Sequence, residues 1–151
     1  MSIKIISVGK KPPRWLTEPL DDYSRRLQAV WRPEWLLIQH SPHTSPEMAK
    51  NAESEQILAK IRPDDYVILL DETGQMLSSP ELATRLEAQR GQAIVCIIGG
   101  AYGVNQAVKQ RANLIWSLSK LVFPHQIVRL ILIEQLYRAQ CIINHHPYHH
   151  Q

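Results

Sequence analysis

Phenylalanine occurs once in these 151 residues, cysteine twice and glycine six times. Two cysteines are too few for a disulfide framework. Cys96 in AIVCII and Cys141 in AQCII each sit inside an apolar run, as expected of buried thiols in a reducing cytoplasm. Long hydrophobic runs are missing too: the longest are broken by Arg129 or Glu134, which excludes a membrane span. At the start, MSIKIISVGKKPPRW puts its apolar residues first and its basic ones after, the order of a strand and turn rather than of a secretory leader. A cytoplasmic location is the expectation.

Acidic residues are the third scarcity, and it is local. From residue 91 onward Glu134 stands alone against Lys109, Arg111, Lys120, Arg129 and Arg138, and five of the seven histidines lie in the same third. The overall net charge of +3 therefore understates a basic region suited to a polyanion, although a solvated basic face would have the same composition.

What is present reads as one α/β domain. Apolar, β-branched runs predict strands over 3–9, 34–39, 66–70, 93–100 and 114–119, several of them continuous enough to be buried on both faces. Between them, helical spacing predicts helices over 14–28, 46–61 and 80–90, a short one in GVNQAVKQRA, and a long one over 125–143. Pro19 is awkward in the first of these and tolerable only near its first turn. Ser45 and Ser79 are expected to cap helices that begin with Pro46 and Pro80. The alternation predicts a parallel sheet with helices on both faces.

Three stretches at predicted strand ends carry candidate chemistry. IIGGAYG holds Gly99, Gly100 and Gly103 in a spacing that matches neither a dinucleotide fingerprint nor a phosphate loop; it is either a tight turn or a close backbone approach to a ligand. Asp71 to Gly74 ends the strand before it. With the loop SLSKLVF these could line one pocket, with Leu70, Leu118 and Leu121 as apolar walls suited to an adenosine-like ligand. SLSK fits a serine-hydrolase pattern, but its companion motifs are missing and Lys120 reads better as a loop cation. Glu134 and Arg138, four apart on the last helix, are expected to pair structurally. That helix is apolar almost all round in its first half, so a partner subunit is expected to cover part of it. The ending NHHPYHH offers histidines four apart, but Pro147 spoils the helical geometry a metal site would need; RNA contact or a free tail fits better.

Taken in order, ISVGK, LDETGQMLSS, IIGGAYG, SLSKLVFPHQIVRLILIEQLYRA and NHHPYHH resemble the RlmH family, small SPOUT-class methyltransferases of bacterial large-subunit rRNA, over essentially the whole chain. The resemblance implies an α/β fold with a C-terminal trefoil knot, an exception to the rule against knots. It implies a homodimer, S-adenosylmethionine as methyl donor, and N3 of a pseudouridine in 23S rRNA of the assembled ribosome as acceptor. Cofactor binding would fall to Leu70, Gly99, Gly100, Leu118, Ser119, Lys120, Leu121, Val122 and Phe123. For holding substrate or removing a proton the candidates are His125, Arg129, Arg138, Tyr148 and His149, with Arg138, Tyr148 and His149 as the catalytic set. The family often follows Tyr-His with Lys or Arg, whereas His150 and Gln151 follow here. Another RNA such as tRNA, or a non-catalytic RNA-binding role, remain the alternatives.

Overall fold

A computed structural model describes residues 1–150; Gln151 lies outside them. Strands β1 (Ser2–Val8), β2 (Glu34–Ile38), β3 (Tyr66–Met76), β4 (Ala93–Ile98) and β5 (Leu114–Ser117) form one sheet in the order β2-β1-β4-β3-β5, every pair parallel. Helices α1 (Arg14–Arg26), α3 (Ser79–Ala88) and α5 (His125–Ile143) cover one face, and α2 (Pro46–Leu58) and α4 (Gln106–Arg111) the other. Successive side chains on a strand point to opposite faces. Ile5, Ile68, Cys96 and Trp116 therefore pack under α1, α3 and α5, while Ile6, Val67, Val95 and Ile97 pack under α2 and α4. Burial on both faces is why these strands are continuous apolar runs rather than alternating ones.

Apart from ends that stop two or three residues short of those predicted in α1, α2, α3, β4 and β5, the structure departs from the sequence expectations at three places. Helix α1 runs straight through Pro19, the sixth of its thirteen residues. The hydrogen bond this forfeits is the one to the Trp15 carbonyl, on an exposed turn that water reaches. Ser78 rather than Ser79 caps α3: its hydroxyl accepts from the Glu81 amide (3.2 Å) while the Glu81 carboxylate accepts from the Ser78 amide (2.7 Å). Ser79 instead donates to Gln135 of α5 at 2.7 Å. Finally, β3 does not stop at Leu70. It bulges, then resumes pairing with β5 through Gln75 and Met76. Gly74 makes the return possible, because a Cβ there would collide with the backbone carbonyl of Ile115.

The long helix α5 begins and ends as the periodicity predicts. Its C-terminus closes with His146 N on Cys141 O (2.8 Å) and His145 N on Ile142 O (3.2 Å), with His145 at φ 57°. This is the left-handed stop that glycine usually supplies. It folds the tail back along α5.

Candidate active site

A cleft of about 810 Å³ opens at the carboxyl ends of β3, β4 and β5, where parallel sheets characteristically bind ligands. Leu70, Gly99, Gly100, Leu118, Ser119, Leu121, Val122 and Phe123 all line it, with Trp116 and Val128 adding apolar wall. Lys120 does not. Ser117 donates to Ser119 O (2.8 Å) and Ser119 Oγ accepts from Leu121 N (3.0 Å), a turn that throws the intervening Lys120 into solvent. The bulge of β3 brings Asp71, Glu72 and Thr73 to the rim, fixed by Asp71 Oδ1 accepting from the Thr73 amide (2.9 Å) and hydroxyl (2.6 Å). Across β4, Gly103 N bonds Gly100 O at 3.0 Å, with Gly103 at φ 74°. The glycine stretch is thus a tight turn and a cleft wall at once. Lys50 and Lys109 reach the cleft from α2 and α4. Neither was legible in the sequence, since only the tertiary fold brings those helices to the strand ends.

Behind the cleft, polar side chains wrap the ends of β1, β2 and β4. Arg129 is fully buried, donating from Nε to Ser7 Oγ (2.8 Å) and from Nη1 to Lys10 O (2.8 Å) and Gln126 Oε1 (2.9 Å), while Nη2 has no partner. Burial lowers its pKa from the ordinary value. One turn earlier on α5, His125 lines the cleft and meets the His40 ring edge-on at 5.6 Å. Its pKa is lowered, first by burial and then by the charge of Arg129 and by His40. Glu53, buried on α2, accepts from Ser41 N at 2.9 Å and lies 3.7 Å from His40 Nδ1, and its Oε1 is unpartnered.

At the other end of α5, the three residues expected to be catalytic do come together. Glu134 Oε1 accepts from Arg138 Nε (3.1 Å) and from the Tyr148 hydroxyl (2.9 Å), and Arg138 Nη1 lies 3.1 Å from His149 Nδ1. The Arg138 guanidinium also stacks 4.8 Å from the Tyr148 ring centroid. Burial, with hydrogen bonds to Tyr23 and Glu134, pushes the Tyr148 phenol well above its usual range. The phenol is a donor here, unsuited to accepting a proton near neutrality. The expected Glu134–Arg138 pair exists, and it also organises the tail. The tail histidines do not converge: His149 turns to Arg138, while His146 Nδ1 accepts from Tyr148 N at 3.2 Å.

The family profile described as "Predicted SPOUT methyltransferase" matches residues 1–149. The chain belongs to the SPOUT methyltransferases. Among curated relatives, proteins called "Ribosomal RNA large subunit methyltransferase H" from Acholeplasma laidlawii and Bacillus pumilus are 41% and 40% identical, each alignment covering 99% of both chains. The protein of that name from Dichelobacter nodosus is 41% identical over the same share. As a SPOUT methyltransferase the chain is an enzyme that uses a methyl donor. Its cleft suits a flat, partly apolar donor: a side chain at Gly99 would crowd Val104 (3.2 Å), and Leu70, Trp116 and Val128 supply apolar contact. In this SPOUT methyltransferase, however, Arg138 lies about 15 Å along α5 from Val128, the last cleft residue on that helix. Donor cleft and tail cluster of one chain are far apart. Among the described residues, no helix is long and apolar enough to cross a membrane.

Proposed function

We propose that this enzyme methylates N3 of a pseudouridine in 23S rRNA of the assembled ribosome, with S-adenosylmethionine as donor, and that it works as a homodimer. What carries the reading is that relatives named for large-subunit rRNA methylation align with this chain over 99% of both lengths. S-adenosylmethionine supplies a methyl carbon on a positively charged sulfur, already electrophilic. The work left to the chain is to hold that group, orient the acceptor and dispose of its proton. Leu70, the Gly99–Gly100 edge, Leu118, Ser119 and Leu121 to Phe123 hold the cofactor; Lys120, facing solvent, is left for phosphate. Arg138, Tyr148 and His149 hold the nucleotide, a cation and two rings suited to a phosphate and a base.

Two features support the dimer. The cleft and the tail cluster stand at opposite regions of α5, so a second copy is the economical way to join one chain's cleft to the other's tail. Leu121 and Val122, on the cofactor loop, are 68% and 77% exposed, and the first half of α5 keeps partly exposed apolar side chains. A covering surface is called for. The trefoil knot belongs to the same reading, with β5 at the sheet edge and the chain returning as α5 across β4 and under α1 and α3. The small single domain offers little surface for a large RNA, which favours the folded ribosome over free rRNA.

The test is transfer of labelled methyl to ribosomes from cells lacking the protein, followed by nucleoside mass spectrometry. A methylated pseudouridine in large-subunit rRNA is the expected product, with naked transcript a much poorer substrate. Methylation of tRNA alone would overturn the assignment. Mixing a tail-deficient Y148A/H149A chain with a cleft-blocked G99W chain should restore activity that neither has alone; failure to complement would sink the shared site.

A further inference from the structure

We propose that His125 is the group that removes the N3 proton of the acceptor base, with Arg129, His40 and Glu53 as positioning residues around its ring. The inference rests on the methyl-transfer reading and deepens it, because that reading leaves the proton without an acceptor. N3 of a uracil-type ring carries a weakly acidic proton. Methylating it without removing that proton would leave a positive charge on the ring nitrogen.

The choice of His125 comes from elimination and from placement. Tyr148 already donates its hydroxyl to Glu134, and His149 Nδ1 is engaged by Arg138. Asp71 Oδ1, at the cleft rim, is occupied by both the amide and the hydroxyl of Thr73. His125 lines the same cleft as the expected cofactor residues, and its ring takes no part in the hydrogen bonds that fix Arg129 beside it and Glu53 behind His40. Gly9 lets the ring sit where it does: at φ 130°, with a Cβ that would fall 2.9 Å from His125 Nε2, only glycine fits.

The charged groups around the ring come from several elements. Arg129 approaches from the same helix, His40 from the loop after β2, and Glu53 from α2 behind His40. Lys10 follows Gly9 on the loop tied to Arg129, and the cleft itself carries Asp71 and Glu72 from β3, Lys50 from α2 and Lys109 from α4. Arg129 is the closest fixed charge, and no carboxylate is within ion-pair distance of it among the described residues. It disfavours a resting imidazolium, which keeps His125 neutral and able to accept. The same cation favours negative charge developing on the ring carbonyls of the base.

In the step, the N3–H bond breaks and leaves its electron pair on N3, and the proton goes to a ring nitrogen of His125. The pair on N3 would then form the bond to the donor's methyl carbon as the bond from that carbon to the donor's sulfur breaks, its electron pair staying on the sulfur, which leaves as a neutral thioether. The half-buried imidazolium then returns its proton to water.

Two measurements on the full-length protein test this. The first follows the ring-proton resonance of His125 against pH, with no cofactor present, and should show titration below the ordinary imidazole value of 6.5. The second compares H125N with the unsubstituted chain in single-turnover transfer to ribosomes, with cofactor affinity measured by calorimetry. H125N should keep cofactor affinity while its rate falls about 10²- to 10⁴-fold, and the acidic limb of the pH–rate profile should disappear. A rate within a few-fold of the unsubstituted chain, a retained acidic limb, or parallel loss of cofactor binding would each overturn the role. No transfer by the unsubstituted chain would instead overturn the methyl-transfer reading itself.

Discussion

Two arginines on one helix, nine residues apart, are held in opposite ways. Arg129 is fully buried against neutral oxygens with one nitrogen left unpartnered; Arg138 is partly exposed and paired with Glu134. Their pKa values move apart accordingly, lowered by burial at Arg129 and raised at Arg138 by the hydrogen bonds it donates to Glu134. The difference teaches where the chain accepts uncompensated charge. At the cleft end of α5 a cation is kept without a counter-ion, an arrangement that burdens folding and suits a site where negative charge develops. At the tail end, charge is neutralised and used to set the posture of Tyr148 and His149.

Breaking the cleft end should have the largest effect. R129A leaves Ser7 and the Lys10 carbonyl without their donor and opens a cavity, for an expected loss of about 2–4 kcal/mol read as a lower urea midpoint at unchanged slope. R129M, which fills most of the space, should lose less and should raise the His125 titration towards its ordinary value. A stability loss in R129M as large as in R129A would mean that the charge serves folding after all. At the tail end E134Q should lose about 1 kcal/mol, because its partners remain partly solvated. Equal losses from R129A and E134Q would erase the contrast. H145G, which removes a side chain from the left-handed stop of α5, should gain a few tenths to about 1 kcal/mol in thermal unfolding. The smallest effect is a slope. Since the His125 pKa is lower in the folded chain, the unfolded chain binds more protons just below pH 6.5, so stability should fall as pH drops through that value and level off below the folded pKa. H125N should flatten this part of the curve.

The elements whose periodicity comes from burial were legible in the sequence. The strands follow apolar runs, which the sheet buries on both faces at its centre, and α5 spans the predicted 125–143 because its apolar side chains recur at helical spacing as far as Ile143, just before the turn at His145. The continuation of β3 to Met76 was not, because Asp71 to Gly74 carry turn chemistry and only the close pass of Gly74 by Ile115 shows why the strand resumes. The three cleft loops were legible as glycine and hydroxyl residues at strand ends. Glu53 and His40 were not: nothing local marks a glutamate in a helix as buried, and its partners come from a loop a dozen residues away. The outward turn at Lys120 was hidden for a similar reason, depending on how Ser117 and Ser119 spend their hydroxyls.

The two cysteines, so far only fillers of apolar space, give the molecule a pair of internal clocks. Cys96 sits mid-strand in β4, where burial pushes its thiol up to about 12, and Cys141 is sealed in the last turns of α5. A covered thiol meets an alkylating reagent only when its surroundings open, so each labelling rate times the opening of its own neighbourhood. Matching rates would describe a chain that comes apart as one unit from sheet to tail. An earlier Cys141 would describe a tail half that lifts away while the sheet stays shut.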